Sequence, residues 1–206
     1  MNNRAVILAD GEFPLHPFPQ SILREASRII CCDGAAELLL EFGLEPDYIV
    51  GDMDSLSHEM QQRFSYCLHR DKCQLTNDLT KAVKFCVERQ WNQITILGAT
   101  GKREDHTIGN ISLIADYADY ADVQLITDHG VFVPLIKSSK FESFEGQQVS
   151  IFSITPDTIF SFSGLRYSID KISQWWQGTL NESTGSEFFI RMDSGKALVF
   201  REHQKK

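Results

Sequence analysis

Short apolar runs that each end in an acidic or glycine turn, with helix-patterned stretches between them, constrain this chain more than any other feature. Ala5-Val-Ile-Leu-Ala9 ends in Asp10-Gly11, Ile29-Ile-Cys-Cys32 in Asp33-Gly34, and Tyr48-Ile-Val50 in Gly51-Asp52. Runs of this length suit strands buried on both faces and are too short for helices. Residues 35–42 have helical spacing and meet a stop at Gly43. Residues 80–89 and 107–118 read as further helices, and 94–97 and 123–127 as further strands. Parallel neighbours need a long crossover, usually a helix, so the alternation predicts a mainly parallel sheet covered by helices on both faces. Ligands of such sheets bind beyond the carboxyl ends of the strands. The polar residues that follow each apolar run are therefore the functional candidates.

From about Val131 the pattern changes. Val131-Phe-Val133 and residues 148–154, 158–162, 188–192 and 197–200 are closely spaced β-like runs separated by Gly, Ser, Pro and Asp. Only residues 169–176 offer a helical turn. The fold class read from this is α/β, a mainly parallel N-terminal domain over residues 1–133 followed by a smaller antiparallel β-sandwich over 137–206. The join falls near residues 134–140. Phe141, Phe144, Phe152, Phe160 and Phe162 are expected in the sandwich core, and His203-Gln-Lys-Lys206 as a frayed end. Trp175 and Trp176 suit a core, an interface or a stacking platform equally in kind, the first two being the commoner uses.

At 206 residues the chain is long enough to bury a substantial core. Its formal net charge of −8 (20 Lys and Arg against 28 Asp and Glu) lacks the basic footprint of non-specific nucleic-acid binding. That charge also repels polyanionic ligands, so a nucleotide site here needs a metal ion or a local cationic patch. Five cysteines, with Cys31 and Cys32 adjacent and no C-x-x-C pair, argue against a zinc ribbon or redox motif and for a reducing compartment. No apolar stretch is long enough for a signal or a membrane span. A cytoplasmic protein with neither nucleic-acid nor membrane partners is expected.

Acidic groups gather after the strands: Asp33, then Asp52 and Asp54 in Gly51-Asp-Met-Asp-Ser55, then Asp78 in Leu75-Thr-Asn-Asp-Leu-Thr-Lys81. In an extended segment, side chains two apart point the same way, which would aim Asp52 and Asp54 at one metal ion. Carboxylates grouped with no evident lysine partner repel one another, and a hard divalent cation such as Mg²⁺, shared with substrate phosphates, relieves that. Asp and Gly also mark ordinary turns, but four such carboxylates at one face are harder to explain that way. A second stretch, Leu97-Gly-Ala-Thr-Gly-Lys-Arg-Glu-Asp-His-Thr-Ile-Gly-Asn110, brings glycines and two cations to the start of a helix near Asp105. That combination suits phosphate, although it is not a Walker A motif. His106 beside it reads first as a capping or packing residue, and second as a proton carrier.

Asp33-Gly-Ala, Gly51-Asp-x-Asp-Ser55, Asn77-Asp-Leu-Thr-Lys81 and Gly98-x-x-Gly-x-Arg-x-Asp-His106 occur in the order and spacing of the thiamin pyrophosphokinase family, which the chain resembles from about residue 5 to 200. Gly164-Leu-x-Tyr167, Gly178-Thr-Leu-Asn-Glu182 and Gly195-x-Ala-Leu-Val199 look like that family's β-domain. The resemblance implies an N-terminal domain that handles ATP and Mg²⁺, a thiamin-binding and dimerisation sandwich, and a homodimer. It implies transfer of pyrophosphate from ATP to the hydroxyl of thiamin, with AMP leaving. By position it assigns Asp33, Asp52, Asp54 and Asp78 to the metal. It assigns Gln74, Arg103, Asp105 and Asn181 to ligand contacts, with Ser55 in the same turn as Asp52 and Asp54. Lys102 is expected beside Arg103 on the phosphate oxygens, and either Asp54 or Asp78 as acceptor of the hydroxyl proton, which makes Asp54, Asp78 and Arg103 the catalytic candidates. The chain departs from the family pattern at Asn77, where Thr is usual, at Leu75, where an acid is frequent, and at Leu180, where Ser is common. Another Mg²⁺-dependent phosphotransferase or pyrophosphatase, or a non-catalytic nucleotide or thiamin sensor, are the competing readings.

Overall fold

A computed structural model describes residues 3–204. The last two residues of the expected frayed tail, Lys205 and Lys206, lie outside the described residues. The chain divides into two compact units: the first takes residues up to 113 together with 120–128, the second residues 114–119 and those from 129 onward.

In the first unit β1 (Arg4–Leu8), α1 (Pro17–Glu25), β2 (Ile29–Cys32), α2 (Ala35–Glu41), β3 (Tyr48–Gly51), α3 (His58–Arg63), β4 (Leu68–Arg70), α4 (Asp78–Glu88), β5 (Gln93–Leu97), α5 (Glu104–Tyr117, whose last turn from 114 is grouped with the second unit) and β6 (Asp122–Ile126) follow one another. The strands lie in the order β6-β5-β1-β2-β3-β4, and every adjacent pair is parallel. Ile7, Ile30, Cys31, Ile49, Val50 and Ile96 are fully enclosed, as expected of strands covered on both faces. Truncating one of these isoleucines to alanine should cost about 2–5 kcal/mol. The chain builds outward from β1 to β4 and then returns to β1's other side with β5. The carboxyl ends of β1 and β5 therefore flank the point where the strand order reverses.

Three elements of this unit lie beyond the sequence reading. α1 begins Pro17-Phe-Pro, which reads as a breaker. Its first turn nevertheless tolerates proline, and His16 Nδ1 caps it by accepting from the Phe18 amide at 3.2 Å. α3 buries none of its residues and so shows no apolar stripe. β4 is a three-residue edge strand, Leu-His-Arg, with no apolar run. Among the described residues no helix is long and apolar enough to cross a membrane.

The second unit contains β7 (Gly130–Leu135), β8 (Ser139–Glu142), β9 (Gln148–Ser153), β10 (Phe160–Ser163), β11 (Gly178–Glu182), β12 (Glu187–Met192) and β13 (Ala197–Glu202). Two antiparallel arrays form, β11-β9-β13-β7 and β10-β12-β8. β12 alternates strictly between exposed and buried residues, the period-two pattern of a half-buried strand. Leu135, Val149, Ile151, Phe160, Phe188, Ile190 and Val199 meet in its core, with Phe141 and Phe162 packed against them.

Four details differ from the sequence reading here. β7 pairs with β13 along its whole length, so residues 130–133 belong to the second unit and 134–140 is no linker. Phe152 follows Ile151 on its strand and so takes the opposite face, where its ring lies 5.5 Å from Trp175 and 6.2 Å from Phe132. Phe144 sits half-buried in the β8–β9 connection. Residues 169–176 form no helix. Ile172 is buried there, and the Gln177 side-chain oxygen gathers the Ser173 and Gln174 amides at 2.8 and 2.9 Å.

Candidate active site

Asp33 is the first residue beyond β2. Its φ of 38° lies in the left-handed region, which aspartate tolerates better than most side chains. It is 2% exposed. Oδ2 accepts the Ser55 amide at 3.1 Å, while Oδ1 is buried with no hydrogen-bond partner. A carboxylate oxygen in that condition is costly unless something else supplies positive charge. Beyond β3, a Cβ on Gly51 would stand 3.1 Å from Asp33 Cβ and 3.3 Å from Asp78 Cγ, so glycine lets the strand end pass between the two acids. Asp78 opens α4 and is held there by the Asn77 cap, whose Oδ1 accepts from the Thr80 amide at 2.9 Å and the Thr80 hydroxyl at 2.7 Å. Asp33, Asp52 and Asp78 thus bring one oxygen each within 4.8 Å of one another. Three hard oxygen donors, one of them otherwise unpartnered, fit a divalent cation.

Asp54 does not belong to that group. The expectation that it points with Asp52 assumed an extended segment, but β3 stops at Gly51 and Met53 turns to a φ of 71°. Asp54 is exposed, and its amide donates to Asp52 Oδ1 at 3.2 Å. Gln74 reaches the same carboxylate, donating from Nε2 to Asp52 Oδ2 at 3.2 Å. The structure also corrects the expectation of carboxylates without a lysine. Lys81, 4% exposed, places Nζ 2.8 Å from Asp78 Oδ1 and 3.8 Å from Asp52 Oδ2. The signal was present in the sequence, since residues three apart on a helix share a face.

The electrostatics follow from these contacts. Burial lifts the Asp33 carboxyl above its usual range; the Ser55 amide pulls the other way, and the charges of Asp78, Asp52 and Asp10 add to the rise. The hydrogen bond from the Asp54 amide holds Asp52 below its usual range, against the cost of burial and with help from Gln74 and Lys81. Burial alone would lower the Lys81 ammonium, but Asp78, Asp52 and Asp71 more than offset it.

Gly98 and Gly101 have φ of 64° and 97°, and a Cβ on Gly98 would come within 2.8 Å of the Ala9 carbonyl. These glycines therefore let the turns after β1 and β5 close on each other, in addition to any service to a ligand. Lys102 pairs with Asp10 at 2.8 Å, and Arg103 grips Asp105 at 3.1 and 2.6 Å. All four groups are solvent-accessible, and Asp105 is held below its usual range by the Arg103 hydrogen bonds. His106 is exposed, and its backbone amide donates to Asp105 Oδ1. Asn110 links the two loops: its Nδ2 donates to the Ala99 carbonyl at 2.9 Å, and its Oδ1 accepts from Asn77 Nδ2 at 3.0 Å. Nothing in the pattern singled out Asn110 or Asp10 as partners, because their contacts are long-range.

In the second unit Asn181 is 1% exposed and spends its amide on the fold. Oδ1 accepts from the Tyr167 and Glu182 amides, and Nδ2 donates to the Tyr167 carbonyl. One donor position of four is left. Beside it Leu180 is 78% exposed at a φ of 60°, at an irregularity in the β11–β9 pairing. Trp175 and Trp176 are each 56% exposed, so neither is a core residue.

Comparison with known proteins adds an independent line. The family model described as thiamin pyrophosphokinase, catalytic domain, matches residues 19–126, and that described as thiamin pyrophosphokinase, substrate-binding domain, matches residues 130–200. Thiamine pyrophosphokinase 1 of Oryza sativa subsp. japonica is 29% identical over 228 residues, covering 95% of this chain and 85% of the relative. Thiamin pyrophosphokinase 1 of Caenorhabditis elegans is 25% identical over 199 residues, covering 88% and 81%. The crystal structure of the Bacillus subtilis thiamine pyrophosphokinase superposes with a TM-score of 0.80 at 22% identity, covering 98% of this chain and 100% of that one, a likeness of fold. With one model spanning more than half of its residues and a second most of the remainder, the chain belongs to the thiamin pyrophosphokinase family.

Proposed function

We propose that this protein is a Mg²⁺-dependent thiamin pyrophosphokinase, transferring the terminal pyrophosphoryl group of ATP to the hydroxyl of thiamin and releasing AMP. The observation that carries the reading is the convergence of Asp33, Asp52 and Asp78, with a buried Asp33 oxygen left unpartnered. These three residues would hold Mg²⁺, which supplies neutralisation of phosphate charge when bound. Asp54 stands outside the group and is exposed, so it is free to accept the hydroxyl proton, whereas Asp78 is already committed to Lys81. Lys102 and Arg103 would exchange their exposed carboxylate partners for phosphate oxygens, Arg103 doing so with two parallel hydrogen bonds. Gln74 and Ser55 border the carboxylates and would contact the substrates there.

The first unit is thus proposed as the ATP- and metal-binding part, and the second as the thiamin-binding and dimerising part. Asn181 would act by shaping the 167 segment and offering its one remaining donor. The exposed Trp175 and Trp176 are available for stacking on the thiamin rings. A cytoplasmic homodimer completes the proposal. Incubation with ATP, Mg²⁺ and thiamin should yield AMP and thiamin diphosphate in equal amounts, and sedimentation should give twice the chain mass. Release of inorganic phosphate or pyrophosphate with no thiamin product would reject the assignment in favour of a hydrolase.

A further inference from the structure

Of the charged groups in the carboxylate site, only Lys81 is both cationic and enclosed. Its side chain, carried by α4, is 3% exposed. A side chain so enclosed and paired holds its ammonium in place, 2.8 Å from Asp78 and 3.8 Å from Asp52. It touches two of the three carboxylates that would receive a metal ion and does not reach the third, whose Oδ1 stays unpartnered. One positive charge against three negative ones leaves the cluster short of neutrality yet well above the potential of three bare acids.

We propose that Lys81 is a positioning residue that acts as a resident counter-ion, keeping Asp52 and Asp78 assembled in the metal-free protein and weakening the site for a free divalent cation, so that metal enters together with nucleotide phosphates. The inference rests on the metal reading of the carboxylate site given above. A divalent ion arriving alone meets a cation that cannot withdraw. One arriving on a triphosphate brings negative charge that offsets both. At separations near 4 Å each such pairing is a strong effect even after solvent screening.

Binding of Mn²⁺ alone, followed by electron paramagnetic resonance without nucleotide, tests this on the full chain. Lys81→Met keeps the aliphatic stem and removes the charge, and should bind Mn²⁺ about tenfold or more tightly than the unaltered protein. Its melting temperature should fall in metal-free buffer and recover with Mg²⁺. Lys81→Arg, which keeps the charge, should bind Mn²⁺ as weakly as the unaltered protein. Lys81→Gln serves as a second neutral variant that can still donate to Asp78. If both neutral variants fold only when Mg²⁺ is added, the lysine is standing in for metal and the proposal holds. Neutral variants with unchanged or weaker Mn²⁺ affinity, or that fail to fold with Mg²⁺ present, would overturn it. Because this readout needs neither ATP nor thiamin, an unaltered protein that makes thiamin diphosphate while its Lys81 variants behave in that way would lose this inference alone.

Discussion

The two units bury polar side chains in opposite ways. Among the described residues of the first, the buried polar ones are Asp33, Thr80 and Lys81, two of them charged, and one Asp33 oxygen has no partner. In the second they are Gln147, Ser153, Thr158, Asn181 and Ser183, all neutral. Ser153 and Thr158 both donate to the Thr155 carbonyl, and Ser183 meets Ser143 at 2.7 Å. The difference follows from architecture. Parallel strands end together at one face and bring the residues after them into one small volume, whatever their charge. Antiparallel strands turn back at both ends, and their buried polar groups fasten the loops. Fully buried charge therefore marks the first unit as the place of chemistry, and neutral buried polarity marks the second as a shaped frame, even though Gln147 Oε1 and the half-buried Arg201 Nε also lack a partner there.

The sharpest way to break that contrast lies within the first unit. Asp52→Asn should reduce turnover by about a hundredfold or more, since metal-assisted charge stabilisation is worth several kcal/mol, and should weaken Mn²⁺ binding with it. Asp54→Asn should also depress turnover strongly but leave Mn²⁺ affinity close to normal, because Asp54 is outside the three-carboxylate group. Equal losses of metal affinity in the two variants would return Asp54 to the metal site.

A second contrast concerns alkaline pH. All five cysteines lie in the first unit, four of them buried. Burial pushes the Cys86 thiol from its usual 9.0 to about 12, and raises Cys31 and Cys32 as well. A folded-state value above the unfolded one means the folded form holds the proton more tightly. The contribution is intact below 9.0 and is lost as pH rises toward 12. Each such thiol should cost about 1.4 kcal/mol of stability per pH unit in that window. Chemical denaturation at pH 8, 9 and 10, with Cys86→Ala for comparison, reads the slope, which should be shallower in the variant.

A smaller effect is expected in the second unit. Asn181→Ala removes three hydrogen bonds to the Tyr167 and Glu182 backbone from a buried site. The cost should be about 1–3 kcal/mol, seen as a lower melting temperature, with the Michaelis constant for thiamin raised and that for ATP little changed. A stable variant that has lost only thiamin affinity would make Asn181 a direct ligand and weaken the view of this unit as a frame.

Much of the parallel unit was legible because strands covered on both faces must be continuously apolar, as in Ile29-Ile-Cys-Cys32, and because Asp33, Asp52 and Asp78 follow such strands or open the next helix. The elements that escaped, α1, α3 and β4, bury too little to leave a pattern or begin with proline. In the site, the i, i+2 argument for Asp54 failed because it holds only while the backbone stays extended, and Met53 breaks that with a positive φ. Lys81 was readable from its helical spacing to Asp78. The Lys102–Asp10 and Asn77–Asn110 pairs join residues far apart in the chain, which local pattern does not encode. In the sandwich, aromatic content suggested core for Phe141, Phe144, Phe152, Phe160 and Phe162, but strand parity sends Phe152 to the other face and Phe144 lies in a connection.

The most direct test of the account is where the phosphates of ATP go. With the α- and γ-phosphates carrying different labels, and Mg²⁺ and thiamin present, the α label should appear only in AMP and the γ label only in thiamin diphosphate, in a one-to-one ratio. Appearance of ADP with thiamin monophosphate, or of the γ label as free phosphate independent of thiamin, would contradict it.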